Sequence, residues 1–181
     1  MTAGRVLVLL LGGAALLPAC LLAQEDHIIQ PLPPTPVNQP PRILEDLLQP
    51  ANRFVTVRNG SDCPNLTFSA PVSDPDVGDT LTCNFYVDPD LFPPCVKQAT
   101  IPSNRQAKRS EPASYAVSFA TPGPLQQPGD HVVEVLVSDG ALVNRDPQPR
   151  PIPLLDGGNG LEPTYAVTYA WTVTTVAGPC Q

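Results

Sequence analysis

Short segments in which apolar and polar residues alternate follow one another from about residue 52 onward. The clearest case spans residues 80–88, where apolar side chains occupy every second position from Leu81 to Val87. Successive side chains of a β-strand point to opposite faces of a sheet, so this alternation predicts a half-buried strand. Five further segments alternate in the same way or are apolar on both faces: 53–58, 63–70, 114–119, 131–138 and 165–176. Turn sequences separate them and helical periodicity is absent, so we predict an antiparallel β-sandwich or barrel.

The N-terminal residues resemble an export signal. Residues 6–17 are apolar or glycine, a run too short to span a bilayer, which needs about 20 residues, but typical of a secretory signal. The sequence Leu17-Pro18-Ala19-Cys20 resembles a bacterial lipobox, in which the cysteine receives the lipid. We therefore predict a lipoprotein-type signal peptide at 1–19 and lipidation of Cys20. The alternative is plain secretion after cleavage behind Ala23.

A proline-rich segment lies between this signal and the first predicted strand. Seven prolines fall between residues 24 and 50. Proline removes backbone donors and favours an extended, semi-rigid chain. We therefore predict a tether over residues 20–51, followed by a folded domain over residues 52–181.

The cysteines also favour export. Of the five, either form of signal processing leaves four thiols, Cys63, Cys83, Cys95 and Cys180. An even number in an exported chain predicts two disulfides, with three connectivities open. The spacings do not suit zinc, because no C-x2-C pair occurs and no histidine lies near the cysteines.

Composition and motifs argue against several classes of function. The formal net charge of −7 is opposite to the basic face that nucleic acid requires. The sequence has no G-x-S-x-G elbow, no H-E-x-x-H motif and no phosphate-binding glycine loop. We therefore expect no enzyme, no catalytic residue and no cofactor beyond the calcium considered below. His131 is expected to be structural, and the basic residues Arg105, Lys108 and Arg109 are expected to form a solvated loop.

Several motifs, in the right order, resemble the PKD or cadherin-like immunoglobulin-fold domain. They are Val72-Ser73-Asp74-Pro75-Asp76, Gly78-Asp79-Thr80-Leu81-Thr82, Pro128-Gly129-Asp130-His131, Val137-Ser138-Asp139-Gly140 and Trp171-Thr172-Val173. The resemblance covers residues 55–176 and implies an antiparallel immunoglobulin-like β-sandwich whose first and last strands run parallel. Residues 144–163 depart from it, because this Pro/Gly-rich insertion replaces a short loop. The insertion is either a binding loop or an elaboration without a function.

The implied topology suggests how the four cysteines pair. The strand that begins at Cys63 runs opposite to the strand that ends before Cys180, so the two residues meet at one pole. The resemblance therefore implies a Cys63–Cys180 disulfide and, with the two cysteines that remain, a Cys83–Cys95 disulfide.

The same topology suggests a calcium site. The loops that carry Asp74, Asp76, Asp79 and Asp139 fall at one pole of the implied sandwich, and cadherin-like relatives bind calcium through acidic loop residues. Carboxylate oxygens are the ligands that calcium prefers. The alternative is that these aspartates only shape turns by accepting hydrogen bonds from their own backbone.

The sequence thus predicts a non-catalytic lipoprotein of the bacterial outer membrane or cell surface that presents a β-sandwich for binding or spacing. Its partners would be the membrane, through the N-terminal lipid, and an unidentified protein or glycan. The alternative is a secreted or periplasmic carbohydrate- or protein-binding module with its site on residues 144–163 or on the loops at that end. An exposed row of Tyr or Trp would favour carbohydrate.

Overall fold

The structure of the chain is a computed structural model that describes residues 37–89, 95–154 and 157–180. The predicted signal peptide (1–19), Cys20 and the tether up to residue 36 lie outside the described residues. The described parts contain short 3₁₀ turns at Glu45–Leu47 and Pro124–Gln126. Their strands are β1 (Arg42–Ile43), β2 (Phe54–Arg58), β3 (Leu66–Ala70), β4 (Val72–Ser73), β5 (Leu81–Val87), β6 (Lys97–Ile101), β7 (Ala113–Val117), β8 (Gly129–Ser138), β9 (Leu142–Val143), β10 (Asp146–Pro147), β11 (Arg150–Pro153), β12 (Asn159–Glu162) and β13 (Ala166–Val176).

The strands form several sheets, of which the largest has five strands in the order β2-β13-β8-β5-β6. Its strands pair antiparallel except for β2 and β13, which run parallel. Two-stranded sheets are formed by β3 with β7 and by β1 with β4. The predicted all-β, mainly antiparallel fold is confirmed, and each of the six predicted strand segments contains a strand.

The core lies between the five-stranded sheet and the β3–β7 pair. Trp171 on β13 is fully buried, and its ring centroid lies 5.2 Å from that of Phe68 on β3. Phe85 on β5 contacts Tyr115 on β7, with 5.6 Å between the ring centroids. Burying each large apolar side chain stabilises the fold by roughly 1.5–3 kcal/mol. The apolar residues of the alternating segments are the ones that form this core.

The folded unit begins earlier than the sequence predicts, at Asn38. Strand β1 pairs with β4, and Leu48 is only 3% exposed. The indole Nε1 of Trp171 donates a hydrogen bond to the carbonyl of Pro50 over 3.0 Å. The last part of the predicted tether therefore packs against the core, and the boundary at residue 51 is corrected to Asn38.

The Cys63–Cys180 disulfide is confirmed. Because β2 and β13 run parallel, the chain after β13 ends where the segment leading into β3 begins, and the two cysteines meet there.

The predicted Cys83–Cys95 disulfide is wrong, since both thiols are free. The last registered pair of β5 and β6 is Phe85 with Lys97, so Cys95 lies beyond it. It is about four strand positions, or roughly 13 Å, from the level of Cys83, which exceeds the span of a disulfide. Burial raises the pKa of the Cys83 thiol to about 12, so this cysteine is an inert core residue.

Candidate functional site

The predicted insertion at residues 144–163 is the most distinctive part of the described surface. Together with Leu142–Val143 it forms two hairpins, β9–β10 and β11–β12, between the long strands β8 and β13. The described residues of the insertion thus form two hairpins.

The first hairpin covers part of the outer face of the five-stranded sheet. Its turn residue Asn144 has φ 58°, a left-handed conformation that asparagine tolerates. The Asn144 carbonyl accepts a hydrogen bond from the Tyr86 hydroxyl over 3.1 Å. The Arg145 guanidinium lies 4.6 Å from the centroid of the Tyr86 ring and also pairs with Glu134. These contacts leave Tyr86 only 1% exposed, so β9–β10 is fixed to the sheet.

The second hairpin is held to the fold by one arginine. Arg150 Nη1 lies 2.8 Å from Asp79 Oδ1, and Arg150 Nε lies 2.6 Å from Glu162 Oε2. The hydrogen bond to Asp79 raises the pKa of the Arg150 guanidinium above its ordinary value, and the hydrogen bond to Glu162 raises it as well. The arginine is therefore charged at any physiological pH and joins β11, β12 and the turn before β5.

The base of the insertion is closed by a buried polar cluster. Asp139 accepts hydrogen bonds from the Tyr165 amide over 2.6 Å and from Asn38 Nδ2 over 2.9 Å. Asn38 Nδ2 also donates to the Pro163 carbonyl over 2.8 Å. Burial raises the pKa of the Asp139 carboxyl, although both donors oppose this. A Cβ on Gly140 would lie 2.6 Å from the Thr164 side chain, so this turn requires glycine.

The outer face of β11–β12 is exposed and mainly apolar, with Asn159 as its polar residue. Pro151 pairs with Leu161 across the hairpin, and Pro153 lies on the same face two residues on. Leu161 is 73% exposed, the highest value among the exposed large hydrophobic residues. The Arg150 face of the hairpin is fixed to the fold, so the Leu161 face is displayed to solvent.

The same prolines protect the outer edge of β11. The Leu154 amide donates to the Gly158 carbonyl over 2.9 Å. Even-numbered residues of β11 therefore turn their backbone groups towards β12, and odd-numbered residues turn theirs outwards. The outward positions are Pro151 and Pro153, which have no N–H. A partner would therefore contact this hairpin through side chains and not by adding a strand to β11.

The four aspartates predicted to bind calcium serve other purposes. Asp74 pairs with Arg109 over 3.1 Å, and Asp76 accepts a hydrogen bond from the Gln39 amide over 2.6 Å. Asp79 and Asp139 hold the insertion as described above. Among the described residues, no group of three or more His, Cys, Asp or Glu side chains is arranged to hold a metal ion. The Asp76 amide donates to Asp74 Oδ1 over 2.9 Å, as the turn interpretation expects, but the other contacts join these aspartates to distant segments of the chain.

The expected solvated basic loop is only partly correct, because Arg109 is buried. Arg105 and Lys108 are exposed, but the side chains of Arg109 and Asp74 are both 0% exposed. Arg109 also donates to the carbonyls of Asp76 and Val77 over 3.2 Å each. Burial raises the pKa of the Asp74 carboxyl, against the effects of the Asp76 amide and of Arg109. Arg109 lies between β6 and β7, and its side chain stabilises the turn before β5.

His131 contacts two acceptors at the other pole. Its Nδ1 lies 2.7 Å from Asp88 Oδ2, and its Nε2 lies 2.8 Å from the Gln127 carbonyl. Burial lowers the pKa of His131, but the bonds to Asp88 and Gln127 raise it more, so the net pKa lies above its ordinary value. Both ring nitrogens are engaged, which agrees with the structural role predicted for His131.

The residues that fix the insertion were not singled out by the sequence. The sequence gives one weak indication for Arg150, because Glu162 has the opposite charge and lies opposite it across the Pro/Gly-rich hairpin. Asn38 gives none, because it lies in the proline-rich segment and reaches Asp139 only through the fold. The aromatic alternation at 165–173 is a core feature, with Trp171 fully buried.

Comparisons with protein-family models, with curated proteins and with solved structures gave no match. The resemblance to PKD and cadherin-like domains therefore rests on the sequence motifs alone. Within the described ranges, no helix is long and apolar enough to cross a membrane.

Proposed function

We propose that the chain is a non-catalytic lipoprotein of the bacterial outer membrane or cell surface, and that its immunoglobulin-like β-sandwich presents the β11–β12 hairpin to a protein partner. The observation that carries this proposal is the two-faced hairpin. One face is fixed through Arg150 to Asp79, and the opposite face displays Leu161 at 73% exposure. A rigid, exposed apolar patch is typical of a protein-binding surface.

The immunoglobulin-like assignment is supported by the strand arrangement. The first strand of the large sheet, β2, pairs parallel with the last, β13. The strands β3 and β7 pair with each other and pack their aromatic residues against the large sheet. This arrangement is expected of two sheets in a sandwich.

Export and anchoring are supported by the N-terminal sequence and by the disulfide. The Cys63–Cys180 bond is typical of proteins that fold outside the reducing cytosol. Leu21 follows the lipobox cysteine, and the absence of aspartate there favours the outer membrane over the inner one.

The surface favours a protein partner over a glycan. An exposed row of Tyr or Trp would favour a carbohydrate site, but the exposed large hydrophobic residues of the described chain include neither, and their aromatic member is Phe54. The hairpin instead presents proline and leucine. A secreted carbohydrate-binding module is therefore the weaker alternative.

Site-specific crosslinking in cells tests the hairpin. We expect that a photoreactive phenylalanine analogue at position 161 will trap a discrete protein. The same analogue at Val132, which is 39% exposed on the outer face of β8, is the matched control and should trap none. Leu161→Asp should abolish the interaction without changing the melting temperature, because this side chain contributes little buried area. Identical products from positions 161 and 132, or retention by the wild-type domain on glycans alone, would contradict the proposal.

Cell fractionation tests the anchor. We expect Cys20→Ser to move the protein from the membrane fraction to the soluble fraction and to prevent incorporation of labelled fatty acid. Two acyl chains suffice for stable anchoring, whereas the unmodified protein has none. An unchanged membrane fraction together with a mature N-terminus at Gln24 would show that the signal belongs to a different class.

A further inference from the structure

Strand β2 is an edge strand whose outer side is unpaired in the described structure. Its inner side pairs with β13, where the Thr172 amide donates to the Arg53 carbonyl over 2.9 Å and the Asn59 amide donates to the Val176 carbonyl over 3.2 Å. Odd-numbered residues of β2 therefore turn their backbone groups towards β13. The groups of Phe54, Thr56 and Arg58 point away from the sheet.

The first of these outward amides has a partner within the chain. The Phe54 amide donates to Asn52 Oδ1 over 3.1 Å. Thr56 and Arg58 are exposed, and no described strand lies beyond them. Natural proteins usually protect such an edge with proline, lysine or a bulge. The outer edge of β11 has two prolines, whereas β2 has no proline and one charged side chain, Arg58.

A cavity of about 330 Å³ opens along the same edge. Its lining is formed by residues of β2, the start of β3, Phe119 and the disulfide; the residues are Thr56, Val57, Arg58, Cys63, Pro64, Asn65, Leu66, Phe119 and Cys180. This volume is at the lower end of the range for ligand pockets and suits one aliphatic or aromatic side chain. The backbone groups of Thr56 and Arg58 thus lie directly beside a mainly apolar pocket.

The charges around β2 indicate which partner fits. Arg53 precedes the strand and Arg58 is its last residue. Arg53 lies 5.7 Å from the centroid of the Tyr169 ring, and neither arginine takes part in an ion pair among the described residues. The whole chain has a formal net charge of −7, so this pair of arginines stands out against an acidic protein. Charge complementarity favours an acidic segment.

From these features we propose that the edge of β2 and its cavity bind an extended, acidic segment of a partner protein as an added strand. Backbone groups of the segment pair with those of Thr56 and Arg58, and one apolar side chain enters the cavity. Acidic side chains lie near Arg53 and Arg58. Strand addition commonly combines backbone pairing for affinity with a side-chain pocket for specificity. This surface is separate from the β11–β12 hairpin and does not depend on its function.

Peptide binding to the exported protein, purified with its disulfide intact, tests the proposal. The probes are a fluorescein-labelled peptide of alternating Glu and Leu and a counterpart of alternating Lys and Leu, measured by fluorescence anisotropy. We expect saturable binding of the acidic peptide and at least tenfold weaker binding of the basic one. Thr56→Pro should abolish binding, because it removes one outward N–H that pairs with the peptide. The variant should still fold, because proline is tolerated in edge strands where the N–H faces solvent. Thr56→Ala keeps the N–H and is the matched control.

A second variant remains informative if Thr56→Pro does not fold. Arg58→Glu changes an exposed side chain and should weaken the acidic peptide at least tenfold while strengthening the basic one. Three results would overturn the proposal. They are equal binding by Thr56→Pro and Thr56→Ala, equal binding of both peptides, and no saturation up to about 1 mM peptide. A dissociation constant of about 1 mM corresponds to a binding free energy of about −4 kcal/mol. Self-association of the wild-type protein that Thr56→Pro abolishes would also overturn it, because a second copy would then occupy the edge.

Discussion

The double variant Cys63→Ser with Cys180→Ser is expected to be less stable than the wild type, with a free energy of unfolding lower by about 5 kcal/mol. The disulfide joins residues 117 positions apart, so its removal restores a large conformational entropy to the unfolded chain. For a closure of this length the chain-entropy relation gives about 5 kcal/mol at 25 °C. Since domains are typically stable by only about 5–15 kcal/mol, the double variant should be close to unfolding at 37 °C. Urea denaturation followed by circular dichroism measures the difference.

Cys95→Ser is the matched control for this experiment. Cys95 is exposed and free, so its replacement should leave the unfolding midpoint within the error of the measurement. A loss of less than about 1 kcal/mol in the double variant would contradict the expected entropy effect.

Asp74→Ala is expected to destabilise the fold by about 3–5 kcal/mol. The Asp74 and Arg109 side chains are both 0% exposed, so the variant leaves a buried guanidinium without its counterion. The remaining carbonyl acceptors of Asp76, Val77 and Gln106 cannot neutralise it. Thermal and urea unfolding, compared with the wild type at neutral pH, give the magnitude.

The double variant Asp74→Leu with Arg109→Met distinguishes an unpaired charge from lost packing. Replacing a buried ion pair by apolar residues of similar volume is often neutral, so this variant should recover most of the lost stability. If it were as unstable as Asp74→Ala, the loss would stem from the turn geometry and not from the charge.

The strands could be predicted because their signal is local. Alternation at 80–88 and 165–176 records which face of each strand meets the core, and Trp171 and Phe85 do face inwards as the pattern requires. The Cys63–Cys180 bond could also be predicted, because the strand polarity that the resemblance implies brings those two residues to one pole. Strand β6 gave no such signal, since Lys97–Ile101 is polar and largely exposed at the sheet edge.

The failures concern contacts that sequence spacing does not determine. Cys83 and Cys95 were paired by elimination, but the register of β5 and β6 places them too far apart. The aspartates of the turn before β5 have a pattern suited to cations, yet Arg109 and Arg150 reach them from distant segments. Proline content alone suggested that the tether extends to residue 51, whereas Leu48 is buried in the core.

The position of the disulfide also sets how the domain responds to mechanical load. A pull on the two ends of the chain is carried across the Cys63–Cys180 bond, so the residues that this bond encloses cannot be drawn out. Of the folded unit, only residues 38–62 can lengthen, by at most roughly 90 Å at full extension. Most of the sheet, including β8, β13 and the insertion, is therefore shielded from tension applied at points outside the disulfide loop.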